Sequence, residues 1–173
     1  DTSVHEYPSS EQLAKIAISA ARVVRLFGFD PKVAFVSHST FGQPLTSRTK
    51  HIKDAVEILK EKNVNFEFDA DMQPDVALNE EYKSLYPFSK IVGNANILVM
   101  PGQHSAAISY KMMKTLGDTK VIGPLLIGLG LPIEIAPLRS STSEILNLAS
   151  IASYSADVID YEKWINFFEF LDH

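Results

Sequence analysis

Apolar positions along the chain fall into two alternating rhythms. Ser9-Ser10-Glu11-Gln12 places Gln three residues after Ser, a helix-opening pattern, and Leu13, Ile16, Ala17, Ala20, Val24 and Phe27 follow at helical spacing. Gly28 and Pro31 stop that helix. Lys32-Val33-Ala34-Phe35-Val36 is a short run suited to a buried strand, and it empties into the polar stretch Ser37 to Pro44. From about Thr46 to Lys62, Ile52, Ala55, Val56 and Leu59 mark one helix face, and Asn63 to Phe68 alternates as a strand. Asp69 to Leu78 reads as an acidic loop leading into a short helix near Asn79 to Leu85.

Ala95 to Met100 is the clearest buried strand, ended by Pro101-Gly102, and a helix from about Ser105 to Leu116 follows. Val121 to Leu129 and Ile133-Glu134-Ile135 read as short strand pieces around Gly-Pro turns. Ser141 to Glu144 repeats the helix-opening pattern ahead of Ile145, Leu148, Ala149 and Ala152, and the aromatic tail Tyr161 to Phe170 reads as a last short helix. This alternation predicts a three-layer α/β/α arrangement around a mostly parallel sheet. With 173 residues and no low-complexity linker, residues 1–173 are expected to form a single domain or lobe.

Composition narrows the function. The net charge is −5 and no basic run offers a face that tracks phosphates, so nucleic acid is not an expected partner. There is no cysteine, hence no disulfide, thiolate nucleophile or thiolate metal site, which fits a cytoplasmic setting. Nothing at the N-terminus reads as a signal peptide, and the longest apolar stretch is broken by Gly and Pro, so no membrane span is expected.

Several residues carry possible chemistry. Ser37, His38 and Ser39 sit where a strand empties into a loop, the place where open α/β sheets put ligands. A hydrolase reading fails because Gly-x-Ser-x-Gly is absent, and neighbouring residues on an extended segment face opposite ways. A phosphate-type loop of hydroxyls and backbone N–H groups competes with a plain solvated turn. Arg48, Lys50, His51 and Lys53 cluster at a helix start, where an anion is favoured, and the alternative is a solvated basic face. The five histidines show no metal-binding spacing, and Asp69, Asp71 and Asp75 lack the rest of a calcium loop, so they read as solvated loop acids. Gly128-Leu129-Gly130 is half of a dinucleotide fingerprint whose third glycine position holds Ile133.

Four motifs occur in the order found in phosphate acetyl/butyryltransferases: Ser37 to Gly42, Asp69 to Leu78, Gly93 to Pro101 and Ile122 to Leu129. The chain resembles that superfamily from about Asp1 to Ser153. Tyr86 to Lys90, His104 to Ser109 and Val121 to Leu126 are phrased as in the C-terminal phosphotransacetylase-like domain of large bacterial NADP-dependent malic enzymes, whereas transacetylases proper carry Asn where Ala107 stands. The resemblance implies the later lobe of a two-lobed domain, a fragment of a larger polypeptide whose malic catalytic domain would act in cis with NADP and a divalent metal. It implies acetyl-CoA as effector, no cofactor in this stretch, and homodimers or higher homo-oligomers.

Transacetylases carry a catalytic Ser-Arg-Gly segment, and the resemblance aligns it with Pro137, Leu138 and Arg139, with Glu144 in place of an Asp. Neither Pro nor Leu can donate a side-chain hydrogen bond to developing negative charge. The implied reading is a non-catalytic acetyl-CoA sensor with Ser39, Thr40, Gly42, Lys111 and Arg139 as ligand residues. An active phosphate acetyltransferase and a purely structural dimerisation module are the alternatives.

Overall fold

The computed structural model describes residues 1, 3–41, 46–118, 120–129 and 131–171, without the side chains of residues 47, 48 and 157–171. It divides into two compact units, Asp1–Gly117 and Asp118–His173.

In the first unit, helix α1 (Ser10–Leu26) opens on a reciprocal cap. The Gln12 amide N–H reaches Ser9 Oγ at 3.2 Å and the Ser9 N–H reaches Gln12 Oε1 at 2.7 Å. It closes on a Schellman turn, Gly28 N–H to the Arg25 carbonyl and Phe29 N–H to the Val24 carbonyl, with Gly28 at φ 82°. Strand β1 (Lys32–Val36) follows, then helix α2 (Ser47–Glu61), capped by Thr46 paired with Thr49. Strand β2 (Glu67–Met72), helices α3 (Pro74–Leu78) and α4 (Glu80–Lys83), strand β3 (Ile97–Val99) and helix α5 (Gln103–Leu116) complete the unit.

The three strands are all parallel, in the order β2-β1-β3. Because side chains alternate along β1, Val33 and Phe35 face one layer and Ala34 and Val36 the other. The first layer is α1 and α2, through Leu13, Ala17, Ile52, Ala55 and Leu59, all at most 2% exposed. The second is α3 with the segment before β3, whose Val76, Ala77, Ile91 and Ala95 cluster with Met72 of β2. This is the expected α/β/α layering around a parallel sheet.

Local expectations are corrected. The strand expected over Asn63 to Phe68 begins only at Glu67, because Asn63 takes φ 47° and the Arg25 guanidinium holds the Asn65 carbonyl and Oδ1 at 2.7 and 2.8 Å. The acidic loop from Asp69 is instead β2 as far as Met72. Its carboxylates have structural work: Glu67 Oε2 accepts the Val92 N–H at 2.7 Å and Asp69 Oδ2 accepts the Lys90 N–H at 2.8 Å. In the second unit, the described residues of 121–129 and 133–135 form no strand; Gly123 and Gly128 take φ 120° and 86°, and Leu126 N–H is bound by Glu134 Oε2 at 3.0 Å.

Helix α6 (Thr142–Leu171) is one helix where the sequence reading has a helix and a separate aromatic tail, since no Gly or Pro interrupts it. Its start uses the expected pattern, with Ser141 N–H on Glu144 Oε2 at 2.8 Å and Glu144 N–H on Ser141 Oγ at 3.3 Å. No helix among the described residues is long and apolar enough to cross a membrane.

Candidate functional site

The pairing of β1 with β2 slips at its carboxyl end. Phe35 pairs with Ala70 but Val36 pairs with Met72, so Asp71 is a bulged residue. It takes φ 60°, an uncommon left-handed conformation for a side chain other than glycine. A bulge re-aims one side chain, and bulges concentrate beside functional sites. Here the Asp71 carboxylate is turned beneath the loop that leaves β1. Ser37 Oγ–H donates to Asp71 Oδ1, Ser39 Oγ–H donates to the same oxygen at 2.5 Å, and the Phe41 N–H donates to the Asp71 carbonyl.

The rest of the loop is pinned as well. The Ser39 N–H donates to Ser37 Oγ at 3.0 Å, and the Gln73 amide donates to the His38 carbonyl at 3.0 Å. The Phe41 ring sits 5.2 Å from Tyr86 and 4.7 Å from Phe88. Asp71 is wholly buried, and its Oδ2 has no hydrogen-bond partner among the described residues. An unsatisfied buried carboxylate oxygen is costly, and such deficits gather where function demands them.

Two clefts flank this loop. One, of about 320 Å³, lies at the carboxyl ends of β1 and β3 against α2 and α5, and Ser37, His38, Thr49, Ser105 and Ser109 line it with Val36, Ile52, Met100 and two prolines. That size and mixed lining suit a small-molecule site, for which ~300–1,000 Å³ is usual. The other, of about 390 Å³, is lined by Thr40, Gln73, Asp75, Val76, Leu85 and two tyrosines, Tyr82 and Tyr86. Neither wall contains Lys or Arg.

The structure scatters the expected ligand residues. Ser39 is 2% exposed and spends its hydroxyl hydrogen on Asp71, so it organises the loop and faces neither cleft. Thr40 lines the second cleft. Gly42 lies outside the described residues. Lys111 is exposed on α5, about 200° around the helix from Ser109 at 100° per residue, which points it away from the first cleft. Arg139 is exposed and belongs to the other compact unit.

The basic cluster is likewise divided. His51 donates from one ring nitrogen to the Pro8 carbonyl at 2.5 Å and bonds Ser10 Oγ with the other at 2.9 Å, so it joins α2 to the start of α1 instead of waiting for an anion. Lys50 is exposed and Lys53 half-buried, while the Arg48 side chain lies outside the described residues. The three aspartates do not converge either, and no group of three His, Asp or Glu among the described residues is placed to hold a metal ion. Asp71, Thr49, Ser105 and Ser109 are the site residues that sequence reasoning missed. Two signals pointed to Asp71, its place in the Asp69 to Leu78 motif and an acid set between the apolar residues Ala70 and Met72, and neither showed that it is buried.

Solved structures that share this layering include phosphotransacetylases, and the sequence agrees. The chain belongs to the phosphate acetyl/butaryl transferase family, whose profile matches residues 1–153. It is similar to the NADP-dependent malic enzyme of Rhizobium meliloti, 47% identical over 156 residues that cover 90% of this chain and 20% of that one. It is also similar to the phosphate acetyltransferase of Bacillus subtilis, 36% identical over 162 residues that cover 90% of this chain and 49% of that one. Among solved structures, a phosphotransacetylase from Streptococcus pyogenes superposes with a TM-score of 0.85 at 33% identity, covering 90% of this chain and 48% of that one. The chain thus spans about a fifth of the malic enzymes and about half of the transacetylases it matches. The stretch it shares with the malic enzymes is their phosphotransacetylase-like part.

Proposed function

We propose that this chain is a non-catalytic, acetyl-CoA-binding regulatory and oligomerising domain of an NADP-dependent malic enzyme. The observation that carries the proposal is the 47% identity across 90% of the chain to such an enzyme, of which it spans only 20%. The oxidative decarboxylation of malate to pyruvate, with its NADP and divalent metal, then belongs to the rest of that polypeptide. Ligand binding is supported by the pinned loop Ser37 to Phe41 and the two clefts beside it. Assembly is supported by Ile108, Met112, Met113 and Leu116 of α5, which stand 54–78% exposed.

The family's 36%-identical transacetylase supports a second reading, that the chain transfers acetyl groups itself. Pro137 and Leu138 argue against it. Loss of one donor to a developing oxyanion costs roughly 100- to 1,000-fold in rate, and here a hydroxyl and a guanidinium are both replaced. The test is calorimetric titration with acetyl-CoA alongside an assay of acetyl-CoA formation from acetyl phosphate and CoA. The sensor reading expects saturable binding with transfer at background. Robust transfer that disappears in Arg139→Ala would establish the transferase instead.

A further inference from the structure

Residues 6–8 tie together the two helices that wall the cleft at the carboxyl ends of β1 and β3. On the α2 side a carbonyl can only accept, so His51 Nε2 carries the hydrogen given to the Pro8 carbonyl at 2.5 Å, and Nδ1 meets Ser10 Oγ at 2.9 Å. On the α5 side the Glu6 carbonyl accepts the Gln103 N–H at 3.2 Å, and Glu6 Oε1 stands 3.5 Å from His104 Nε2. Gly102 permits this approach, since a Cβ there would lie 3.1 Å from the Glu6 carbonyl oxygen. Both anchor points adjoin the cleft wall in sequence. His51 lies between Thr49 and Ile52, and Gln103 comes two residues before Ser105.

Helix α5 has few other anchors. Among the described residues Ala106 is the only buried one in α5, and residues 111–116 are all exposed. At 100° per residue Met112 and Leu116 continue the face of Ser105 and Ser109, yet they stand 54% and 78% exposed, so the face that lines the cleft is uncovered beyond Ser109. Elements with few buried apolar contacts open locally at low free-energy cost. We propose that residues 6–8 form a strap that holds the first turn of α5 in place relative to α2 and so sets the width of the cleft, with His51 as its clasp. Freed of the clasp, α5 moves as a flap about Gly102. The strap serves any ligand that bridges both walls: such a molecule steadies the strap by as much as the strap favours the molecule.

The test is amide hydrogen exchange of the 173-residue chain at neutral pH, followed by mass spectrometry of its peptides. His51→Phe keeps a ring and removes both hydrogen bonds of the clasp. Exchange over residues 106–113 should then rise about ten-fold, the scale of one net hydrogen bond, although the substitution lies on α2. Peptides of β1 and β2 should keep their wild-type rates. His51→Gln, whose amide can still donate to the Pro8 carbonyl, should restore the protection of α5, which ring packing alone would not. Gly102→Ala displaces the strap at its other end. Because both substitutions act through one segment, the double variant should exchange no faster than the faster single one. Where far-UV circular dichroism shows His51→Phe unfolded, Gly102→Ala alone should raise exchange over residues 106–113 by the same factor. Unchanged exchange in α5, acceleration confined to α1 and α2, acceleration by one common factor across the whole unit, or a His51→Gln variant as fast as His51→Phe overturns the strap.

Discussion

Removing the Asp71 side chain should destabilise the first unit, and glycine should be tolerated better there than alanine. The carboxylate accepts two hydroxyl hydrogen bonds on Oδ1, each worth about 1.5–3 kcal/mol because the acceptor is charged. Against that gross loss stands the relief of a buried oxygen without a partner, about 1–3 kcal/mol. A net cost of about 2–3 kcal/mol is expected for Asp71→Ala. The backbone then decides between alanine and glycine. At φ 60° an alanine carries roughly 1–2 kcal/mol of left-handed strain that glycine escapes, while glycine loses about 0.5–1 kcal/mol more chain entropy on folding. Asp71→Gly should therefore exceed Asp71→Ala in stability by about 0.5–1 kcal/mol, the reverse of the usual order inside a strand. Urea unfolding followed by far-UV circular dichroism, with equal slopes for both variants, measures the difference. Two variants of wild-type stability, or alanine the more stable, would refute the account of the bulge as the device that clamps the loop.

Phe35→Ala, a cut into the largest fully buried side chain of the sheet, should cost about 3–5 kcal/mol in the same urea assay. Lys83 is 8% exposed, its Nζ has no hydrogen-bond partner among the described residues, and burial lowers its pKa from the ordinary lysine value. Because the folded protein then holds this proton less tightly than the unfolded chain, stability due to Lys83 should rise as pH climbs through the folded pKa toward the unfolded one. Lys83→Met should stabilise at neutral pH and flatten that rise; a Met variant less stable than wild type at pH 7 would contradict it.

The layering was legible because its signal is local and periodic. Helix α1 follows from apolar residues between a Ser-x-x-Gln cap and Gly28, and β1 from five consecutive residues whose alternate side chains face two layers. The carboxyl end of β2 was not legible, since Glu67, Asp69 and Asp71 look like loop residues until the N–H groups of Lys90 and Val92 and the hydroxyls of Ser37 and Ser39 supply their partners from distant positions. The loop Ser37 to Phe41 was found for the right positional reason, the end of a buried strand. Ser39, however, was assigned to the ligand when its hydroxyl is committed to Asp71, because a bulge and a left-handed aspartate leave no periodic trace. The cap at Thr46 was missed because its third residue is Thr49, a hydroxyl in the place where Glu or Gln marks such caps.

The central claim is that this domain senses acetyl-CoA on behalf of a malate-oxidising polypeptide. Malate-dependent formation of NADPH by the full-length polypeptide, measured against increasing acetyl-CoA, tests it most directly. The account predicts a saturable change in rate that is abolished when residues 1–173 are deleted from an otherwise active enzyme. A rate indifferent to acetyl-CoA, or one whose response survives that deletion, would contradict it.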